Sequence, residues 1–165
     1  MSDKLNTMRI LEQNKIVYEA LHYPDDLRDA EEIADVLGLP YYMVYKTLVA
    51  QPEGSDKPYL VMIAADRALD LKQLAAVSGQ KKIRMASHKD AEALTGLKVG
   101  GISALALTQK NWTVFLDQPA TEHEHILISA GQRGIQLRVP TMALVRLVRA
   151  RLANVSMDKP EGGEG

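Results

Sequence analysis

The sequence predicts an α+β domain with a mixed, strongly curved, barrel-like β-sheet surrounded by short helices. Three observations lead there. Strand-like and helix-like segments alternate irregularly, without the regular βαβ rhythm of a doubly wound sheet. A hairpin signal stands in the first half, where VYKTLVA and YLVMIAA flank QPEGSDKP, a stretch dense in turn formers. Each helical segment is short, as where Gly38 and Pro40 close DAEEIADVLGL.

The elements follow in order. Leu5, Met8 and Leu11 recur at helical spacing behind Ser2 and Asp3, which can cap a first turn, and this helix stops near Asn14. IVYEALHY reads as a strand, and the next helix carries Asp29, Glu31 and Glu32 where the positive end of its dipole favours them. After the hairpin, Asp70 can cap LKQLAAVSG, KKIRMA reads as a strand, and Ser87 with Asp90 resembles a capping box opening SHKDAEALTG. WTVFLD, HILIS and IQLRV are further strand candidates, the last two joined by AGQRG. TMALVRLVRARLA closes the series as a helix.

The chain has 165 residues, 46% hydrophobic and 25% charged, which suits one folded domain. SMDKPEGGEG offers almost nothing to bury, so the expected division is a domain over 1–154 and a flexible tail over 155–165. A formal charge of −1 excludes a protein that coats nucleic acid through bulk positive charge, so any RNA contact must be local. No cysteine is present, which removes disulfides, thiolate nucleophiles and Cys-ligated metals and fits a cytoplasmic protein. No apolar run approaches the ~18 residues of a membrane span, and MSDKLNTMRI is not a signal peptide.

Several residues are candidates for chemistry. In VYKTLVA the period of two puts Lys46 on the same side as Val44 and Leu48, so either it snorkels at a strand edge or it points into a pocket toward an anionic or polar ligand. KVGGIS offers amides without an intervening Cβ, suited to an oxyanion hole or simply to a turn. In AGQRG, Arg133 presents a planar fork near Ser129, and Asp117 ends WTVFLD where side chains reach a cleft or cap a turn. His123 and His125 share one face at i, i+2 but lack an apparent third ligand, and neither G-x-S-x-G nor H-E-x-x-H occurs. KKIRMA and Arg146, Arg149 and Arg151 supply local positive charge.

Taken in order, VYKTL, LDLKQL, KKIRMA, G-x-x-VGGIS, LDQPATE and S-x-G-x-RG resemble the blocks of the YbaK-like trans-editing family, similar to the editing insertion of bacterial prolyl-tRNA synthetases. The similarity runs from about Lys4 to about Ala153. It implies an editing domain over 1–154 that hydrolyses the ester of mischarged aminoacyl-tRNA, Cys-tRNA(Pro) first and otherwise Ala or Ser esters. A tRNA- or synthetase-binding module that kept the fold without hydrolysis is the alternative. The resemblance places catalysis on Lys46, Gly100, Gly101 and Asp117, and substrate binding on Ile102, Ser103, Ala104, Ser129 and Arg133. It implies no cofactor or metal, the 3′ end of aminoacylated tRNA as partner, a prolyl-tRNA synthetase as a candidate third component, and neither DNA nor membrane. Two departures stand out: Ala104 replaces the proline of the GGISP loop, and Ala130 replaces a glycine.

Overall fold

The computed structural model describes residues 4–160. Ten strands and five α-helices occur among them. Helix α1 (Asn6–Gln13) leads to strand β1 (Glu19–His22), helix α2 (Ala30–Leu37), and the hairpin β2 (Tyr45–Pro52) and β3 (Tyr59–Ala64). Then come β4 (Arg67–Leu69), α3 (Leu71–Ser78), β5 (Ile83–Met85) and α4 (His88–Thr95). A 3₁₀ segment, Leu105–Lys110, precedes β6 (Val114–Asp117), β7 (His125–Ser129), β8 (Ile135–Pro140), α5 (Thr141–Val148), β9 (Arg151–Ala153) and β10 (Ser156–Asp158).

The expected α+β class and mixed pairing hold, while the barrel does not. Three separate sheets are present, ordered β5-β2-β3-β6-β9, β1-β8-β7 and β10-β4. In the five-stranded sheet β3–β6 and β6–β9 are parallel and the other pairs antiparallel. Its edge strands β5 and β9, each three residues long, do not pair with one another, so the sheet stays open.

Local signals explain most elements. The Asp70 carboxylate accepts from the Gln73 N–H at 3.0 Å and the Ser87 hydroxyl from the Asp90 N–H at 3.0 Å, so both expected caps form. Ser2 and Asp3, the other expected caps, lie outside the described residues. IVYEALHY pairs only over Glu19–His22, with Val17 exposed ahead of it.

The last expected helix is the clearest correction. α5 stops at Val148, Arg149 takes a left-handed φ of +55°, and Arg151–Ala153 pair with β6 instead of continuing the helix. Ladder bonds to a buried strand outweigh the modest intrinsic preference of ARLA for helix. The structure also runs past the boundary expected at 154. Ser156–Asp158 pair with Arg67–Leu69, and the Lys159 ammonium bonds the Glu31 carboxylate, while 161–165 lie outside the described residues.

Two apolar layers sandwich the five-stranded sheet. Tyr45, Val49, Leu60, Met62 and Leu116 join the main core, closed by Ile126, Ile128, Leu137 and Val139 of the three-stranded sheet. Val61, Ile63 and Phe115 pack with Leu74 of α3 in a second cluster. A third cluster sets Ala30 and Ala34 of α2 on Val44 and Leu127. Burying each large aliphatic side chain contributes about 1.5–3 kcal/mol.

Candidate functional site

The third cluster frames the site. Val44 bridges Leu127 in parallel, which joins the two larger sheets at one point. Two residues on from that bridge stand Lys46 on β2 and Ser129 on β7, and the period of two puts each on the face of its bridge partner. Ser129 lies opposite Gln136, and Gln136 opposite Leu21. A polar row, Lys46, Ser129 and Gln136, thus continues the apolar row that α2 covers.

Lys46 is half-buried, and its Nζ donates to the Ala65 carbonyl at 3.1 Å. Of the two readings open in the sequence, the inward one fits this bond. Burial first, and then the Lys159 ammonium, lower its pKa to about 8, against the opposing pull of Asp29, Glu31 and Asp66. The ammonium is therefore poised near neutrality, with acids at the start of α2 holding part of its charge.

The glycine pair meets the same segment from another side. Gly100 has φ +91°, and a Cβ there would stand 2.7 Å from Arg28 Cβ and 2.9 Å from Arg28 Cα. A Cβ on Gly101 would lie 2.9 Å from the Arg133 nitrogen and from Gln132 Cα. Backbone approach therefore demands glycine at both positions. The Gly101 amide already donates to the Lys98 carbonyl at 2.7 Å, so it is not free for an oxyanion, whereas the Gly100 and Ile102 amides find no partner among the described residues.

Val99 fastens this loop. Its N–H donates to the Glu92 carboxylate at 2.8 Å, and that bond holds the Glu92 carboxyl below its ordinary range. Its carbonyl accepts from Arg133 Nε at 2.7 Å. Arg133, expected to bind substrate, first clamps the glycine loop to the β7–β8 turn.

Other expected residues take structural posts. The Ile102 side chain joins the main core; Ser103 is fully buried, and its Oγ accepts from the Leu105 N–H at 3.2 Å. Ser129 Oγ accepts from the Gly131 N–H at 3.1 Å, which leaves its own O–H to donate. Ala104 is buried with φ −62°, the value proline requires. Ala104→Pro should raise stability by about 0.4–1 kcal/mol, seen as a rise of roughly 1–4 °C in a thermal melt. A lower melting temperature would show that the ring finds no room.

Asp117 departs furthest from expectation. It is buried, its Oδ1 accepts from the Val155 N–H at 2.9 Å, and its Oδ2 from the Ser156 hydroxyl. Both oxygens accept bonds from the β9–β10 segment, so Asp117 orders the C-terminal strands. Asp117→Ala should cost about 1–3 kcal/mol, because the Val155 N–H is left buried without a partner. Denaturant unfolding measures that loss, and unchanged stability would refute the tie.

Arg28, Asp29 and Gln136 were not singled out from sequence. Asp29 was legible only as a helix-start charge, and Gln136 sits unmarked in IQLRV. Gln136 is 4% exposed, and its Oε1 has no partner among the described residues, a costly state unless a ligand group answers it. His123 instead stacks on Tyr42, ring centroids 4.9 Å apart, and no group of three His, Asp or Glu is placed to hold a metal among the described residues. Nor, among those residues, is any helix long and apolar enough to cross a membrane.

Comparison with known proteins bears on this arrangement. The aminoacyl-tRNA editing domain family matches residues 24–147. A protein of Enterococcus faecalis, provisionally named Cys-tRNA(Pro)/Cys-tRNA(Cys) deacylase EbsC, is 34% identical over 155 residues, covering 93% of each chain. A proline–tRNA ligase of Sulfurihydrogenibium is 28% identical over 112 residues, 67% of this chain but 19% of the ligase. Among solved structures, hypothetical protein APE2540 superposes with a TM-score of 0.82 at 23% identity, covering 90% of this chain and 97% of its own. A structure described provisionally as a trans-editing enzyme for prolyl tRNA synthetase gives 0.77 at 21%, covering 94% and 99%. These two share the fold.

Proposed function

Because the chain belongs to the aminoacyl-tRNA editing domain family, we propose that it is a free-standing aminoacyl-tRNA deacylase that removes a small, wrongly attached amino acid. The observation carrying this reading is a half-buried Lys46 that feels the charges of Asp29 and Glu31, beside the Arg28 backbone on which Gly100 packs.

An aminoacyl ester is already activated, so placement and charge stabilisation suffice without a protein nucleophile. Water, or a hydroxyl of the terminal ribose, adds to the ester carbonyl carbon. The Gly100 and Ile102 amides take the developing oxyanion, and the Lys46 ammonium holds the ribose or phosphate of the terminal nucleotide. The acyl C–O bond then breaks, the ribose oxygen recovers a proton, and the amino acid leaves, after hydrolysis of the transient ester where the ribose attacked. Gln136 and Ser129 stand in the Lys46 row, where an amide carbonyl can accept from the substrate's ammonium. Arg133 acts through the loop it clamps, as a positioning residue.

Cysteine on tRNA(Pro) is the first substrate to test, in keeping with the name of the Enterococcus relative. Purified protein is incubated with Cys-, Ala- and Ser-charged tRNA(Pro) and with correctly charged Pro-tRNA(Pro), and ester loss is followed. Turnover of a mischarged species with Pro-tRNA(Pro) spared is the expected result. No turnover on any charged tRNA, with tRNA still bound, would replace this reading with a binding module.

A further inference from the structure

We propose that a basic groove at the far end of the glycine loop binds the sugar–phosphate backbone of tRNA next to its acylated end, an assignment that rests on the editing reading above. The groove, about 650 Å³, is lined by Ala104, Trp112, Arg149 and Arg151 among others, and it adjoins a second one of about 390 Å³ lined by Arg146 and Arg149.

Charge selects the occupant. The chain as a whole carries −1, yet neither lining contains an Asp or a Glu. Arg146, Arg149, Arg151 and the neighbouring Lys110 form no ion pair among the described residues. Arg149 and Arg151 line the larger groove and Arg146 and Arg149 the smaller one, with Lys110 next in sequence to the lining residues Asn111 and Trp112. Cations gathered there without paired acids attract a polyanion, and phosphates spaced along a strand match such a row.

Two of these cations are held over aromatic rings. Lys110 Nζ lies 5.4 Å from the Trp112 ring centroid and Arg151 Cζ 5.9 Å from that of Phe115. Arg149 closes α5 in a left-handed conformation that glycine adopts more readily, so its side chain is retained against a backbone preference. Compensating the C-terminal dipole of α5 accounts for Arg146 and Arg149 but not for Lys110 or Arg151, which belong to other elements.

The loop links this face to the site. Gly100 and Ala104 are four residues apart, hence separated by at most about 14 Å. With the terminal nucleotide at Lys46 and Gly100, the nucleotides behind it reach the groove.

The test compares wild type with K110Q/R149G/R151Q on charged tRNA and on 2′(3′)-O-aminoacyl-adenosine, which lacks the adjoining phosphates. R149G alone serves as a second variant that relaxes the backbone while removing one charge. For the triple variant, KM on charged tRNA should rise at least about tenfold with kcat held, and the salt dependence of binding should flatten by about two to three log units per log unit. R149G should flatten it by about one. Aminoacyl-adenosine hydrolysis should not change. Trp112, the single tryptophan, reports binding of uncharged tRNA by its fluorescence. Unchanged KM and salt slope in both variants would overturn the groove. If wild type hydrolyses neither substrate, the editing reading falls, and the groove then stands or falls on whether uncharged tRNA binding depends on these three residues.

Discussion

Replacing Lys46 with alanine should lower deacylation by roughly 10²–10³-fold, the loss expected when a preorganised charge is removed from a developing transition state. The fold should survive, because the lost contact is one bond to the Ala65 carbonyl. Wild-type activity should also fall as pH rises through about 8, where the buried ammonium gives up its proton. Unfolding through this group cannot mimic that fall. A lysine whose folded pKa lies below its unfolded value of about 10.4 weakens the native state where it is charged, and that cost fades as pH climbs from about 8 toward 10.4. Stability and activity therefore move in opposite directions over the same window. Lys46→Arg, charged throughout, should lose the alkaline fall if it retains turnover. Full activity in Lys46→Ala would remove the residue from the reaction.

Gly100→Ala should be the most damaging single-methyl change. The new Cβ meets Arg28 Cβ at 2.7 Å and its backbone Cα at 2.9 Å, and φ +91° is strained for any L side chain. Strain of this kind costs about 1–3 kcal/mol, and the displaced backbone raises the total to roughly 3 kcal/mol or more. The melting temperature should fall by roughly 6–12 °C. Gly54 supplies the control: its φ is +82°, yet nothing lies within 4 Å of an added Cβ. Gly54→Ala should therefore cost only the backbone share, about 1 kcal/mol, and leave deacylation intact. Gly100→Ala should also lose activity out of proportion to its stability, because Arg28, on which the new methyl presses, adjoins Asp29, one of the acids that act on the Lys46 charge. Equal effects of the two substitutions would show that contact with Arg28 is unimportant.

The parts legible in the sequence were those whose cause is local. The β2–β3 and β7–β8 hairpins and the Asp70 and Ser87 caps follow from turn chemistry and side-chain reach, whereas a period of two left the direction of Lys46 open. What stayed hidden depends on partners distant in the chain. Arg151–Ala153 left the helical pattern because β6 offers them a ladder, and Ser156–Asp158 left the polar end because β4 does. Asp117 looked like a cleft acid, and only the approach of Val155 and Ser156 shows what occupies its oxygens. The double glycine was visible, but its cause, the backbones of Arg28 and of Gln132–Arg133, was not. Closure into a barrel was expected from the irregular alternation of strands and helices and fails because the strands divide among three separate sheets.

The pairing of β10 with β4 and the reach of Lys159 to Glu31 bear on how this protein is handled at the bench. An expression clone trimmed at 154 to discard a polar end would strip away both groups that Asp117 bonds, leaving a bare carboxylate inside the molecule. The same cut would take away a positive neighbour of Lys46, so the shortened enzyme would show its alkaline limb at a higher pH than the parent.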